Sequence, residues 1–234
     1  MPIAGATVPL NTAEGEDKIT ITEKVTSPYF SDGNTELLAA NIVSGTLSDT
    51  NETYYYSIAN SSSPTTPEFH VAFGSVNGYG SDDDANAIKA PTEAVYNQWA
   101  SLLLPANEVT GGFIISDNGS AGLVTGRDPE IYVLVGARAR QKDRLNKKNW
   151  TIFLTGSNGI SVGANTRLVL TDDSANDNPT STPAGDRYNI VSGSDGTISG
   201  SGASYKTYGF YYPDQGVMVF SGQELSASIP GAGL

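Results

Sequence analysis

A chain of 234 residues with a formal net charge of −12 and no cysteine is long enough for one large β domain or two small ones. Its acidity disfavours nucleic acid and anionic membranes as partners, and the missing thiols exclude disulfides and thiolate metal sites. No apolar run approaches the length of a membrane span, and the N-terminus lacks the basic-then-apolar layout of a secretory leader.

The first 17 residues are polar and rich in small side chains, which reads as an N-terminal arm. Residues 18–25 (KITITEKV) alternate Ile19, Ile21 and Val25 against Thr20 and Thr22, a strand period. Two further alternating runs, 53–59 with Tyr54, Tyr56 and Ile58 on one face and 69–73 with Phe69, Val71 and Phe73 on one face, flank a Ser/Pro/Thr turn cluster at 61–67 and are expected as neighbouring strands. Residues 74–86 show no periodicity and read as a long exposed loop. A helix is expected over 91–104, opened by Pro91 and closed by Pro105, with Val95, Trp99, Leu102 and Leu103 on the buried face and Trp99 as the largest anchor.

Alternation over 130–142 predicts a long strand. Ile131, Val133, Val135, Ala137 and Ala139 would share one face, and Arg138, Arg140 and Lys142 the other. Residues 149–155 are its expected hairpin partner, with Trp150, Ile152 and Leu154 on a common face. Shorter strands are expected at 167–171 and 188–192. A terminal hairpin is expected from 205–212 and 217–220 around the turn Pro213–Gly216, followed by an extended tail over 221–234. The pattern as a whole predicts a mainly β (α+β) fold: an antiparallel, sandwich-like sheet with one packed helix and extended terminal arms. The body would run over 18–220, with a subdivision near 157–185 left open.

Catalytic chemistry has little to work with. The single histidine, His70, falls inside a strand, and no Gly-x-Ser-x-Gly elbow supplies a nucleophile. The acids cluster in turns such as Asp82-Asp83-Asp84 and Asp172-Asp173, where solvation and loop formation explain them. We therefore expect no enzyme, no catalytic residue and no small-molecule substrate. Residues 168–179 (LVLTDDSANDNP) resemble the cadherin interdomain linker, in which a strand runs into a calcium-binding Asp/Asn segment. That resemblance would make Asp173, Asn176, Asp177 and Asn178 ligands. The interval from Asp173 to Asn176 is one residue longer than in that family, and an Asp/Asn/Pro turn accounts for the same residues. The turn is the expectation, with no cofactor and calcium as the alternative.

Seven of the 13 Lys/Arg residues lie between Arg127 and Lys148, a basic cluster in an acidic chain. Arg138, Arg140, Lys142 and Arg144 are its expected contact residues toward an acidic neighbour or another copy of the chain. Tyrosine combines apolar area with a polar tip, so Tyr208, Tyr211 and Tyr212 join them as expected contacts.

Three blocks together resemble virion structural proteins of contractile-tailed marine phages, especially cyanophages. They are FHVAFGSVNGYGS followed by AVYNQWASLLL, then EIYVLVGARARQKDRLNKKNWTIFLTG, then YGFYYPDQGVMVF. The resemblance covers roughly 53–156 and 205–220 and rests on framework residues. It implies a tail- or baseplate-associated subunit of a multi-copy assembly, built in the host cytoplasm, whose partners are other virion proteins or copies of itself. The alternatives are a surface- or carbohydrate-binding adhesin or decoration module and a calcium-stabilised extracellular β domain.

Overall fold

The computed structural model of the chain describes residues 42–44, 55–60, 63–78, 91–115, 126–141, 144–155, 167–199 and 206–225. The expected arm at 1–17, the strand at 18–25 and most of the tail beyond 225 lie outside them, as does Lys142.

Among the described residues the strands are β1 (Ile42–Ser44), β2 (Tyr55–Asn60), β3 (Ser63–Ser75), β4 (Glu130–Gly136), β5 (Ile152–Thr155), β6 (Arg167–Asp172), β7 (Thr180–Thr182), β8 (Gly185–Ser194), β9 (Thr197–Ile198), β10 (Thr207–Tyr212) and β11 (Val217–Ser221). They form one antiparallel, curled sheet in the order β1-β2-β3-β4-β11-β10-β8-β6-β5, with β7 and β9 attached to β8. The fold is mainly β with few helices, as the alternation predicts. The expected neighbours pair as β2 and β3, with Tyr56 opposite Val71 and Ile58 opposite Phe69. The terminal hairpin forms as β10 and β11. β5, β6 and β8 are neighbours in the same sheet, so the stretch 157–185 does not separate two sheets.

Antiparallel partners point to the same side, so the register assigns every side chain to a face. On one face Ile131, Val133, Val217, Val219, Phe210 and Tyr212 meet α1 (Pro91–Leu103) and the segment that follows it. That segment carries the short α2 (Ala106–Val109) and buries Phe113 and Ile115. On the other face Phe69, Met218, Phe220, Tyr211, Tyr188, Ile190 and Leu170 line a second core, sealed by Leu145, Trp150 and Leu225. The central strands are therefore buried on both sides. Trp150 does share a face with Ile152 and Leu154.

Three expectations change. The helix forms at 91–103, but its buried residues are Thr92, Tyr96, Ala100 and Leu103, while Leu102 is exposed and Trp99 only half-buried. Tyr96, not Trp99, is the anchor. The strand at 130 stops at Gly136, and Arg138–Gln141 forms a helical turn, α3. Its partners run out there: the pairing with β11 ends at Val135 opposite Val217, and the last bonds are Gly136 N–H to Gly216 O (2.8 Å) and Ala137 N–H to Glu68 O (2.9 Å). Beyond that point the Ala/Arg/Gln composition favours a helix. Finally, β5 pairs with β6 and not with β4, because β11, β10, β8 and β6 are interposed.

Gly74 shows how closely the helix approaches. A Cβ there would lie 3.0 Å from the Tyr96 backbone nitrogen and 3.2 Å from Ile131 Cγ1. Gly74→Val is expected to push α1 off the sheet and cost about 1–3 kcal/mol, read as a lower urea midpoint.

Candidate functional site

The basic cluster, continuous in sequence, is divided in space. Arg127 lies against Gly112, where an added Cβ would fall 2.3 Å from Arg127 Cδ, beside α1 and its following segment. Arg144 is half-buried and reaches Asp214 in the β10–β11 turn at 3.8 Å. Lys147 donates to the Tyr188 hydroxyl at 2.9 Å and sits 4.9 Å from that ring's centroid. Lys148 turns with φ of 64° and donates its N–H to Asp172 Oδ2 at 2.9 Å. Arg138 and Arg140 belong to α3, with Arg138 exposed. Arg138 and Arg140 do not stand on a strand face as expected, since β4 ends before them. Arg144 and Lys147 are spent on the body of the protein, where they hold the 144–150 segment against β8 and the terminal turn.

The tyrosines sort in the same way. Tyr208 is half-buried, with Lys206 Nζ 5.4 Å from its ring centroid. Tyr211 and Tyr212 are fully buried on opposite faces of β10, which removes both from the set of surface contacts. Tyr211 meets Trp150 edge-on, ring centroids 5.5 Å apart. Burial raises the Tyr211 hydroxyl well above its usual range, and it pushes Tyr212 up to about 12 against the countering charge of Arg187. Arg187 itself bonds Glu108 at 3.0 Å and stacks 4.3 Å from the Phe210 ring centroid, tying α2 to the sheet.

The Asp172–Asn178 stretch is a turn organised by two buried carboxylates. Asp172 accepts from Lys148 N–H and from Ser174. Asp173 Oδ1 accepts the Asn189 N–H at 2.9 Å and Oδ2 the Asn189 side-chain amide at 2.8 Å, while its carbonyl accepts from Asn176 and Asp177. Burial is the chief reason the Asp173 carboxyl is raised. Asn176, Asp177 and Asn178 are exposed. Among the described residues no group of three or more His, Cys, Asp or Glu side chains could hold a metal ion. His70 meets Ser57 Oγ through Nδ1 at 3.1 Å, a cross-strand contact set by the Ser57–His70 register.

A third buried aspartate, Asp128, has no counterpart in the sequence pattern. Asp128 is 1% exposed, in the loop that enters β4. Its Oδ2 accepts the Ile115 N–H at 2.6 Å and its Oδ1 accepts the Ser221 hydroxyl. Its carbonyl accepts the Tyr96 hydroxyl at 2.8 Å, and the Tyr96 hydroxyl oxygen in turn accepts the Phe113 N–H at 3.1 Å. Asp128 thus joins the segment after α1, the helix itself and the end of β11. Burial pushes its carboxyl up to about 6, against the lowering bonds from Ser221 and Ile115. The only local signal is an Asp-Pro pair at a strand entrance; its partners lie 13 to 93 positions away.

What remains open is a sheet edge. Among the described residues β5 pairs only with β6, and Phe153, at its centre, is 58% exposed. Both tryptophans are withdrawn from such a role, Trp150 being buried and Trp99, on α1, half-buried against the first core. Comparison with protein-family models, with curated proteins and with solved structures finds no match.

Proposed function

We propose that this chain is a non-enzymatic structural subunit of a phage virion, of the tail or baseplate region, acting through protein–protein contacts in a multi-copy assembly. One observation carries the packing role: the buried acids Asp128, Asp172 and Asp173 are committed to holding loops, while among the described residues the outer edge of β5 has no strand beside it and carries a solvent-facing aromatic. Open edges and exposed aromatics are what protein contacts use. The phage assignment rests on the sequence blocks, which fall on β3, α1, β4 to β5 and β10 to β11, the framework of the sheet. Mass spectrometry of purified particles, read with the position of the coding gene, tests it; a gene set apart from phage structural genes overturns it.

The basic contact is retained in narrower form, at α3. Arg138→Glu with Arg140→Glu is expected to lower the assembled fraction in sedimentation at least tenfold, about 1.4 kcal/mol in all. Arg144→Glu should instead destabilise the monomer, since it would face Asp214 from a half-buried position.

A further inference from the structure

The turn that leaves β3 carries a reactive pair that the contacts described above do not use. Asn77 is exposed in it and is followed by Gly78. We propose that Asn77 is a site of spontaneous covalent modification, converting through a succinimide to isoaspartate and aspartate. The reaction is independent of the virion reading and requires no partner.

The chemistry is intramolecular. The Gly78 backbone nitrogen, its proton taken by solvent base, bonds to Asn77 Cγ. The Cγ–Nδ2 bond breaks, and that nitrogen takes a proton from water and leaves as ammonia. Water then opens the five-membered ring, at Cγ to give aspartate or at the main-chain carbonyl to give isoaspartate. No enzyme or oxidant enters, and the loss of ammonia makes the conversion one-way. The turn thus records the time elapsed since the chain was made.

Local geometry favours the attack. The nitrogen belongs to a glycine, so no Cβ crowds its approach, and Gly78 takes its φ of 74° without strain. Its N–H reaches Ser75 O only at 3.2 Å, and the Asn77 N–H reaches Ser75 Oγ at 3.3 Å. An exposed turn closed by such long bonds opens at little cost, and opening frees the nitrogen.

A second pair, Asp195–Gly196, can form the same ring and shows what protection requires. It also turns with positive φ, 47° and 73°. There the Gly196 N–H donates to the buried Thr171 Oγ1 at 2.8 Å. Asp195 Oδ1 accepts the Thr151 hydroxyl at 3.0 Å, and the Asp195 N–H donates to Thr151 Oγ1 at 3.1 Å. A Cβ added at Gly196 would lie 2.6 Å from Lys148 Cβ. Nitrogen and carboxyl are both held, so this pair persists while Asn77–Gly78 reacts.

The product alters the surface at the end of the β3–β4 ladder. Each event adds one negative charge to a chain of −12. Isoaspartate also inserts a backbone methylene beside Val76, whose N–H donates to Pro129 O at 2.8 Å, one residue past the Ser75–Glu130 rung.

The test uses the unsubstituted, full-length protein. It is incubated in mildly alkaline buffer beside capped synthetic peptides of residues 73–78 and 192–198. Peptide mapping with electron-transfer fragmentation distinguishes isoaspartate from aspartate at each position. Asn77 in the folded protein is expected to convert within about tenfold of its peptide's rate, with isoaspartate among the products. Asp195 is expected to isomerise roughly a hundredfold more slowly in the protein than in its own peptide. An Asn77 that stays intact in the protein while its peptide converts overturns the proposal. So does an Asp195 slowed no more than Asn77, because the two turns would then not differ in protection.

Discussion

Asp128→Ala is expected to lower folding stability by about 2–4 kcal/mol, because it leaves the buried Ile115 N–H and Ser221 hydroxyl without their acceptor. Asp128→Asn should cost much less: its amide oxygen can still accept from Ile115, and its NH2 can donate to Ser221 Oγ. The two variants also separate the effect of charge. In the unfolded chain this carboxyl titrates near 3.8; in the folded chain burial pushes it to about 6. Below about pH 4 it is protonated in both states. As the pH rises from 4 toward 6 the unfolded chain loses the proton first, so this residue's contribution to stability falls. The fall is complete once the folded carboxyl ionises, and the rise from 3.8 to about 6 corresponds to about 3 kcal/mol. Denaturant titrations of the wild type and Asp128→Asn at pH 4, 5, 6 and 7 check it. The wild type should lose stability relative to the variant across that window, and a constant difference would show that Asp128 does not titrate there. Glu224, which adds a smaller raising effect, is held by Lys206 at 2.6 Å and is common to both proteins.

The strands with one solvated face or a strong alternating core were legible from sequence. β2 and β3 were found as neighbours because Tyr56, Ile58, Phe69 and Val71 repeat with period two. The terminal hairpin was found because Pro213–Gly216 interrupts two apolar runs. What alternation could not reveal was which tyrosines face solvent. β10 and β11 are buried on both faces, so Tyr211 and Tyr212, adjacent in sequence and opposite in direction, are equally enclosed. A strand covered on both sides carries no inside-outside pattern to read. The end of β4 was missed for a related reason: Ala137 to Lys142 continues the alternation formally, but its termination depends on where β11 begins, a property of the partner. The Asp128 site is non-local altogether. Its bonds run to Ile115 and Ser221, and no window of sequence contains both.

Tyr96→Ala is expected to cost about 3–5 kcal/mol and Trp99→Ala distinctly less, about 1–2 kcal/mol, reversing the order that side-chain size suggests. The helix period admits two phases that differ by one residue. One gathers Val95, Trp99 and Leu102; the other gathers Thr92, Tyr96, Ala100 and Leu103, and the second is buried. The choice is explained by what Tyr96 can do when enclosed and Trp99 cannot. Its ring meets Phe113 edge-on at 5.7 Å, and its hydroxyl both donates to the Asp128 carbonyl and accepts the Phe113 N–H. Burial pushes that hydroxyl up to about 12, so it keeps its proton, and its donor role, through the neutral range. Ala100, one turn on, is small enough to let the helix sit close, as Gly74 does from the sheet. Tyr96→Phe separates packing from hydrogen bonding: it keeps the ring, loses both bonds and should cost about 1–3 kcal/mol. Urea titrations of the three variants check the order.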